Sequence, residues 1–400
     1  MRITCLGGAG EIGANSYYLR AGGAGLLLDA GMHPKKEGPA ALPRFDAIDD
    51  EVDHVLITHA HLDHVGALPV AMRRFPRARL HMTYAAWRFA HRMLKNSANV
   101  MRRRAETEPT APLYGFDAVE ALEDLIETHD ESRPFRLGRG PTCTFVPAGH
   151  IPGAAGVLVE ADGRRFFYTG DTCGSAQSLV PGAVYPDAPL DVLLTETTYG
   201  ANLVADGVKR EEVIRRFTAS VDRVVRAGGT ALVPVFALGR AQELLFLLWV
   251  QRQKGRLDPD VPVYLTGLAR AVTRLYDDTR RETPRRDPDL RLTRLDFRVL
   301  DDEAFASGAP EPPAIVLASA GMLLPHTLSN KLARRVLPEP GDAIFIVGYQ
   351  DPDTPGFRVQ HSKEGEAIDL QDSRPPVTRR CAVERFPFRA HASRAELLVG

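Results

Sequence analysis

The first thirty residues alternate short apolar runs with glycine turns. Residues 2–6, 15–20 and 26–28 are rich in β-branched, aromatic or leucine side chains, and glycines separate these runs. This pattern predicts three short strands joined by tight turns. The intervening glycines also match G-x-G-x-x-G, but a β-prone run follows them where a dinucleotide-binding fingerprint needs a helix. A dinucleotide site is therefore not expected here.

Further along, apolar runs end abruptly in a polar side chain. Residues 55–57 precede a histidine-rich loop, and later runs end at His150, Asp171 and Glu196. The early run at 26–28 ends in the same way, at Asp29. Functional side chains gather in loops at the strand ends of rigid scaffolds. The pattern therefore marks these residues as candidate site residues.

The middle of the chain has a different pattern, in which helical and strand periods alternate. The predicted helices are 211–226, 240–253 and 268–281, and the predicted strands are 230–235, 261–265, 314–318 and 343–348. Strands that alternate with helices indicate a parallel, helix-covered sheet. This region is therefore predicted to be a separate α/β unit.

Length and composition are those of an ordinary globular protein. The 400 residues suffice for one large or two medium domains, with 44% hydrophobic and 25% charged residues. The formal net charge is −1, so any nucleic-acid binding must come from a local basic patch.

Cysteine usage and hydropathy bear on location. The four cysteines are scattered without a C-x-x-C pair, which argues against a disulfide framework and against a cysteine zinc finger. No run approaches the ~18 apolar residues of a membrane span, and the first residues lack the apolar segment of a signal peptide. We therefore expect no membrane association and a cytoplasmic location.

The densest candidate chemistry lies in the loop after residues 55–57. Four metal-competent side chains fall within six residues there: His59, His61, Asp63 and His64. Imidazole suits zinc, and a carboxylate can complete its ligand set. The first two residues can bind one ion and the last two can face a second. Two ions roughly 3.5–4 Å apart can stabilise both oxygens of an in-line displacement.

This loop, H-x-H-x-D-H, resembles the signature of the metallo-β-lactamase fold superfamily. Gly149-His150 and Thr169-Gly170-Asp171 resemble its third and fourth motifs, and Asp29 resembles its first. Four further segments resemble the β-CASP nucleases, a branch that includes the endonuclease of pre-mRNA 3′-end processing and ribonuclease J. These segments are Glu196 to Gly200, Pro234 to Glu243, Ala318 to Met322 and Phe388 to Ala392.

The resemblance implies a fold and a domain order. An α/β fold is expected, with a four-layer αββα metallo-β-lactamase domain and an inserted α/β β-CASP cap domain. The expected bounds are 1–204 for the first part of the metallo-β-lactamase domain, 205–358 for the cap and 359–400 for the returning part.

The resemblance also implies two metal sites. One zinc ion is expected on His59, His61 and His150, and the other on Asp63, His64 and His391, with Asp171 bridging the two. Mn²⁺ is an alternative to Zn²⁺. Asp29 is expected to orient a metal ligand from outside the ligand set.

Catalytic residues and substrate contacts are expected at other positions. The candidate catalytic residues are Asp63, Glu196 and His361, and the candidate substrate contacts are Arg240, Ser319, Gly321 and Arg358. The residues around Ser319 can offer backbone N–H groups to a phosphate. An arginine can stabilise phosphate charge but cannot act as a general acid near pH 7.

Two positions depart from the family pattern. Ser393 stands where an aspartate usually follows the C-terminal His-Ala pair, and Arg358 occupies the position of the family's catalytic histidine. His361, one helical turn after Arg358, is the substitute proposed for that histidine.

The resemblance implies a zinc-dependent phosphodiesterase that cleaves single-stranded RNA, within the chain or from an end. Three alternatives stay open: a small-ester or other metallo-β-lactamase-fold hydrolase, a DNA nuclease, and a catalytically weak scaffold in an RNA-processing or DNA-repair complex. The inserted cap argues against the small-molecule hydrolase, and the complete set of ligands argues against the scaffold. DNA is not excluded as a substrate, and a homodimer is a possible assembly.

Overall fold

The computed structural model describes residues 1–106, 110–202 and 207–399. By its internal contacts the chain divides into two compact units. The first comprises Met1–Gly200, Thr279–Pro288 and Ala390–Gly400, and the second comprises Ala201–Asp278 and Asp289–Arg389. None of the helices in the described ranges combines the length and the apolar character that crossing a lipid bilayer requires.

The first unit contains two sheets. The strands of the first sheet, in spatial order, are β1 (Arg2–Gly7), β2 (Ser16–Ala21), β3 (Ala24–Leu28), β4 (His54–Leu56), β5 (Arg79–Thr83) and β6 (Ile126–His129). The strands β1 to β3 are antiparallel, and β3 to β6 are parallel. The second sheet contains β7 (Phe135–Arg136), β8 (Thr142–Pro147), β9 (Ala155–Ala161), β10 (Arg164–Tyr168) and β11 (Val192–Leu194).

A shared apolar core joins these two sheets. Leu26 and Leu28 from β3 belong to one buried cluster with Phe145, Val157 and Phe166 from the second sheet. Alternate residues of a strand face the same side, so each sheet supplies every second side chain to this layer. The two packed sheets and the predicted strand-turn-strand-turn-strand start are confirmed.

Helices of the first unit follow the parallel strands. They are α1 (Leu62–Val65), α2 (Leu68–Arg74), α3 (Tyr84–Arg104) and α4 (Phe116–Glu120), with short 3₁₀ turns at Gly38–Ala41, Phe45–Ala47 and Ala121–Asp124. Thr83 begins α3, because its side chain accepts a hydrogen bond from the N–H of Ala86 and so caps the helix. The sequence did not predict β6 as a strand.

The second unit is built around one parallel sheet. Its strands, in spatial order, are β14 (Arg298–Leu300), β13 (Val263–Thr266), β15 (Ala314–Ala318), β12 (Thr230–Pro234), β16 (Ala343–Ile346) and β19 (Ala382–Arg385). A small antiparallel pair consists of β17 (Ala367–Ile368) and β18 (Val377–Thr378). The predicted parallel sheet of the middle region is confirmed.

Helices accompany this sheet. They are α5 (Arg210–Arg226), α6 (Arg240–Gln253), α7 (Gly267–Asp278), α8 (Asp302–Ala306), α9 (Leu328–Val336) and α10 (Pro355–His361), with a 3₁₀ turn at Leu292–Arg294. Val213, Phe217, Val221 and Val224 recur at helical spacing on α5 and are buried, which explains why this charged segment folds as a surface helix.

The boundaries between the units differ from those expected. The strand β19 pairs with β16, which keeps the chain in the second unit up to Arg389 rather than 358. The first unit then ends with α11 (Arg394–Val399). It also includes Thr279–Pro288, a segment that the sequence had placed inside the cap. The other expected boundary, at 204/205, lies outside the described residues.

Candidate metal centre

Loops at one end of the strands of the first unit carry the seven predicted ligands. His59 and His61 follow β4, and Asp63 and His64 lie on the short helix α1. The remaining three follow β8, β10 and the return of the chain from the second unit: His150, Asp171 and His391.

The first half of the centre consists of three imidazoles and one carboxylate oxygen. His61 Nδ1 lies 3.0 Å from His150 Nε2. Asp171 Oδ2 lies 3.5 Å from His59 Nε2 and 3.6 Å from His150 Nε2. All four residues offer an atom within 4.8 Å of the others. Three nitrogens and one oxygen at this spacing match the donor set of a four-coordinate zinc ion.

The second half uses the other oxygen of the same carboxylate. Asp171 Oδ1 lies 3.1 Å from His64 Nε2, which in turn lies 3.7 Å from Asp63 Oδ2. His391 and Glu196 form a third cluster of metal-competent groups with Asp171, and His391 Nδ1 lies 3.9 Å from Asp171 Oδ2. Asp171 therefore faces both halves, one oxygen to each.

The centre fits a metal ion better than it fits a hydrogen-bond network. His59 is 1% exposed, and its Nε2 makes no hydrogen bond within the described part of the chain. A buried polar atom without a partner costs free energy, and an ion at this position would satisfy it. Gly170, next to Asp171, has φ +54°, and a Cβ there would lie 2.8 Å from Thr58, so the close approach of these two loops requires glycine.

Asp29 supports the second half from behind. This residue is fully buried, and its carboxylate accepts hydrogen bonds from the Thr58 N–H (2.7 Å), the Thr58 hydroxyl (2.8 Å) and the Tyr168 hydroxyl (2.8 Å). Its Oδ2 lies 2.7 Å from His64 Nδ1. A carboxylate on one nitrogen of an imidazole fixes the tautomer and turns the other nitrogen toward the metal.

Glu196 supports His391 in a similar way. Its two oxygens lie 3.1 and 3.0 Å from His391 Nδ1, and Oε1 also accepts the N–H of Thr172 at 2.6 Å. The carboxylate is thus held between a backbone amide and an imidazole. This geometry favours an orienting role for Glu196 over direct proton transfer.

Two supporting side chains carried no signal in the sequence. Asn15 places its amide nitrogen 3.0 Å from His64 Nε2. Gln177 is buried and donates to the carbonyl oxygens of Gly149 (2.9 Å) and His150 (2.6 Å). Both lie outside any motif, and only their position in space reveals them.

Burial and charge divide the histidines into two classes. Burial, together with neighbouring histidines, lowers the pKa of His59 and of His150 well below the ordinary value. Burial also acts to lower the pKa of His64, but the carboxylates of Asp171, Asp63 and Asp29 raise it well above that value.

Burial and neighbouring charges also act in opposite directions on the pKa values of His391 and Asp171. Burial would lower the pKa of His391, but Glu196 and Asp171 raise it to about 9. Burial would raise the pKa of Asp171, but His64 and His391 hold it well below its usual range. The Asp171 carboxylate is therefore ionised, as a metal ligand must be.

The C-terminal departure from the family pattern has a local explanation. The Ser393 hydroxyl accepts the N–H of Glu396 at 3.3 Å, and Glu396 Oε2 accepts the N–H of Ser393 at 2.7 Å. This reciprocal pair is a capping box at the start of α11. Ser393 therefore positions the helix that follows His391.

Three predicted substrate contacts belong to the second unit and have partners there. Arg240 donates to the carbonyl of Phe388, and its guanidinium lies 6.0 Å from the centre of the Phe388 ring. The N–H of Ser319 donates to Thr266 Oγ1 at 2.9 Å, and the carbonyl of Gly321 accepts from Gln350. Any amide contact with a phosphate would therefore come from residues beside Ser319.

Arg358 and His361 also belong to the second unit, on α10. Arg358 pairs with Asp369 at 3.0 Å, and His361 Nδ1 lies 2.9 Å from the carbonyl oxygen of Phe357. Both are exposed or half-exposed side chains. The role predicted for each of the five residues of this unit stays a prediction.

Two family models match the chain. The model of the metallo-beta-lactamase superfamily matches residues 9–219, and the model of the Beta-Casp domain matches residues 241–359. A crystal structure of a protein of unknown function from Enterococcus faecalis V583 has a TM-score of 0.54 at 13% identity, covering 98% of this chain and 88% of that chain. At this identity the likeness concerns the fold alone.

Curated relatives align with nearly the whole chain. Endoribonuclease YSH1 of Candida glabrata is 32% identical over 99% of this chain and 52% of its own length. Cleavage and polyadenylation specificity factor 73 of Drosophila melanogaster is 32% identical over 98% of this chain and 56% of its own length. Endoribonuclease ysh1 of Schizosaccharomyces pombe is 33% identical, with 96% and 50% covered. The chain spans about half the length of the curated relatives it matches.

Proposed function

Since this chain belongs to the metallo-beta-lactamase superfamily, we propose that it is a zinc-dependent nuclease that cleaves single-stranded RNA within the strand. The Beta-Casp match at residues 241–359 and the relatives named endoribonucleases support the choice of substrate. A divalent metal follows from the superfamily and from the histidine–aspartate cluster. Zinc is the proposed ion, because imidazole nitrogens with a few carboxylate oxygens are its usual ligands.

The observation that carries this proposal is the orientation of Asp171. Its Oδ2 faces His59 and His150, and its Oδ1 faces His64. A carboxylate placed in this way can hold two cations side by side. Paired cations are typical of sites that displace a leaving group at phosphorus.

The ligands divide between two proposed ions. One would be held by His59, His61, His150 and Asp171 Oδ2, and the other by Asp63, His64 and Asp171 Oδ1. We assign His391, which clusters with Asp171 and Glu196, to the second ion. When bound, two such ions supply a water nucleophile near neutral pH and stabilise the charge that develops on the phosphate.

The surrounding residues keep the ligands in place. Asp29 accepts the Nδ1–H of His64, which keeps Nε2 turned toward Asp171. Glu196 accepts the Nδ1–H of His391 and holds that ring.

Asp63 is the more exposed carboxylate of the centre, with 30% of its side chain accessible. We assign it the exchange of a proton with water.

The test is direct cleavage by the purified, metal-loaded chain. Single-stranded RNA and DNA of the same sequence, each labelled at one end, are incubated with the chain and with the Asp63→Ala/His64→Ala double variant. We expect an internal ladder of RNA fragments that the double variant does not produce. The matched control is His326→Ala, which removes an exposed histidine of the second unit and should cleave as the unchanged chain does.

Each alternative gives a different result. Cleavage of DNA in place of RNA would replace the proposed substrate, and release of single nucleotides from one end would replace internal cleavage. No cleavage of either strand by a folded, zinc-loaded chain would refute the nuclease proposal. Equal cleavage by the double variant would show that a contaminant is responsible. The homodimer and the cytoplasmic location stay predictions from the sequence.

A further inference from the structure

A second histidine cluster lies on the first sheet, outside the metal centre. His54, His81 and His129 stand on the adjoining strands β4, β5 and β6, and Glu127 stands two residues before His129. The parallel register pairs His81 with Glu127 and places His129 opposite Thr83. None of these four residues takes part in the metal centre described above.

The nitrogen atoms of this cluster form a continuous series. His54 Nδ1 lies 3.0 Å from His81 Nε2, and His81 Nδ1 lies 2.9 Å from His129 Nε2. Glu127 Oε2 lies 3.8 Å from His81 Nδ1. The donor atoms of His81, Glu127 and His129 all fall within 4.8 Å of one another.

The metal centre provides an internal standard for these distances. There, His61 Nδ1 and His150 Nε2 are 3.0 Å apart, and His64 Nε2 lies 3.7 Å from Asp63 Oδ2. The second cluster repeats both spacings, 2.9 Å between nitrogens and 3.8 Å from nitrogen to carboxylate oxygen. In the centre the two spacings belong to different halves, whereas in the second cluster they meet at one atom, His81 Nδ1.

The tautomer of His81 suits a ligand. A neutral imidazole carries one N–H and one lone pair. If Nε2–H donates to His54, the lone pair lies on Nδ1, the atom that faces His129 and Glu127. Burial, followed by the neighbouring His54 and His129, lowers the pKa of His81 to about 3, so the ring is neutral at physiological pH.

The flanking contacts fix the other two donors and leave them open to solvent. His129 stacks on Phe135 with ring centres 3.6 Å apart and planes inclined by 12°. Glu127 Oε1 pairs with Arg79 at 3.1 Å, which leaves Oε2 directed at His81. The Glu127 side chain is 44% exposed and β6 is an edge strand, so water can reach the cluster.

We propose that His81 Nδ1, Glu127 Oε2 and His129 Nε2 bind a further Zn²⁺ ion, with His54 orienting His81. Two imidazoles and one carboxylate are a known zinc donor set, and water would complete the coordination. The three ligands lie on β5 and on the edge strand β6, so a bound ion would tie these two strands together.

The experiment counts zinc on the full chain. Zinc per chain is measured by elemental analysis, after dialysis against metal-free buffer, for the unchanged chain and for Glu127→Gln/His129→Gln. We expect the double variant to hold one zinc fewer while it cleaves RNA at the same rate. His326→Gln, which removes an exposed histidine elsewhere, should hold as much zinc as the unchanged chain.

Cobalt gives a second readout that does not depend on cleavage. The difference between the visible absorption spectra of the Co²⁺-loaded chain and the Co²⁺-loaded double variant should be that of one cobalt ion with nitrogen ligands. Equal zinc and no cobalt difference would overturn the proposal and leave a hydrogen-bonded histidine ladder. If the double variant does not fold, Glu127→Gln alone serves, because that side chain lies at the surface. Failure of the nuclease assay leaves the zinc count unaffected, so the two proposals fail separately.

Discussion

His150 and His391 lie with ring centres 4.6 Å apart, but different groups hold their Nδ1 atoms. The Nδ1 of His150 lies 2.7 Å from the backbone carbonyl oxygen of Ala390, whereas that of His391 lies against the carboxylate of Glu196. The same difference separates His59 from His64. Thr58 Oγ1 lies 3.1 Å from His59 Nδ1, and Asp29 holds His64.

The comparison separates a neutral half of the centre from a charged half. In the neutral half, burial keeps the imidazoles unprotonated, so His59 and His150 are ready to bind a cation at pH 7. In the charged half, carboxylates raise the pKa of His64 and His391, so both rings hold protons until a metal displaces them. We expect the two ions to bind with different affinities and different pH dependence.

The largest effect is expected where the two halves meet. Asp171→Ala removes the carboxylate that faces both, so both ions should be lost together. Without the ions the variant should lose several kcal/mol of transition-state stabilisation. The rate of RNA cleavage should therefore fall by about a thousandfold or more. Zinc analysis and single-turnover kinetics on the same sample measure both losses. Retention of one full equivalent of zinc would contradict the bridging assignment.

Neutralising a carboxylate that holds a histidine of the charged half should weaken the binding of only one ion. Asp29→Asn and Glu196→Gln keep the side-chain size, and Asn tolerates the φ of +59° at position 29. Each is expected to weaken one zinc ion by about 10–100-fold, as changes behind metal ligands do. Competition with a chelator of known affinity measures both binding constants. Equal weakening of both ions would refute the division into halves.

The pH dependence should distinguish the halves without any mutation. Because the pKa of His391 is raised to about 9, metal must displace its proton at neutral pH. Displacement of the His391 proton should therefore make affinity at the charged half rise by up to about tenfold per pH unit, and this contribution should level off above pH 9. Affinity at the neutral half should stay nearly constant above pH 7. Calorimetry in buffers of different ionisation enthalpy counts the protons released by each ion.

The raised pKa of His391 also makes the folding stability of the metal-free chain depend on pH. A histidine whose pKa is higher in the folded state stabilises that state below its unfolded pKa, and the stabilisation is lost as pH rises through about 9. The metal-free chain should therefore unfold at lower denaturant concentration at pH 10 than at pH 7.

The smallest effect is expected from the support of the neutral half. Gln177→Ala removes the amide that donates to the carbonyls of Gly149 and His150. Loss of these buried bonds should cost about 2 kcal/mol of folding stability and lower cleavage by less than tenfold. Gln251→Ala, a buried glutamine of the second unit, is the matched control. It should lose stability without losing activity, and equal activity loss in both would contradict a positioning role for Gln177.

Much of the first unit was predictable, because its chemistry lies at strand ends within short motifs. The apolar runs before His59, His150 and Asp171 are buried strands, and each one delivers its ligand to the same place. The support of these ligands was harder to predict. Asp29 was visible as an acid after a strand, but Asn15, Gln177 and the carbonyl of Ala390 contact the centre through tertiary packing that no local pattern encodes.

The contact-based division at Arg389 differs from the predicted boundary at 358 for a related reason. Residues 382–385 are a short run with two charged side chains, and pairing with β16 rather than intrinsic propensity makes them a strand. β6 was missed likewise, since its exposed Glu127 interrupts the apolar pattern. In both cases an edge strand, which is solvated on one side, carries too few apolar residues to be recognised from its own sequence.

The order of the ligands along the chain also determines when each half of the centre can form during translation. The partner of His150 is the carbonyl of a residue 240 positions later, and the second unit lies between them. At ordinary translation speed, roughly tens of seconds separate the appearance of His150 from that of His391. During this interval a nascent chain has the neutral half of its centre and lacks a ligand of the other. A chain at this stage of synthesis therefore cannot yet hold the second proposed ion with its full set of ligands.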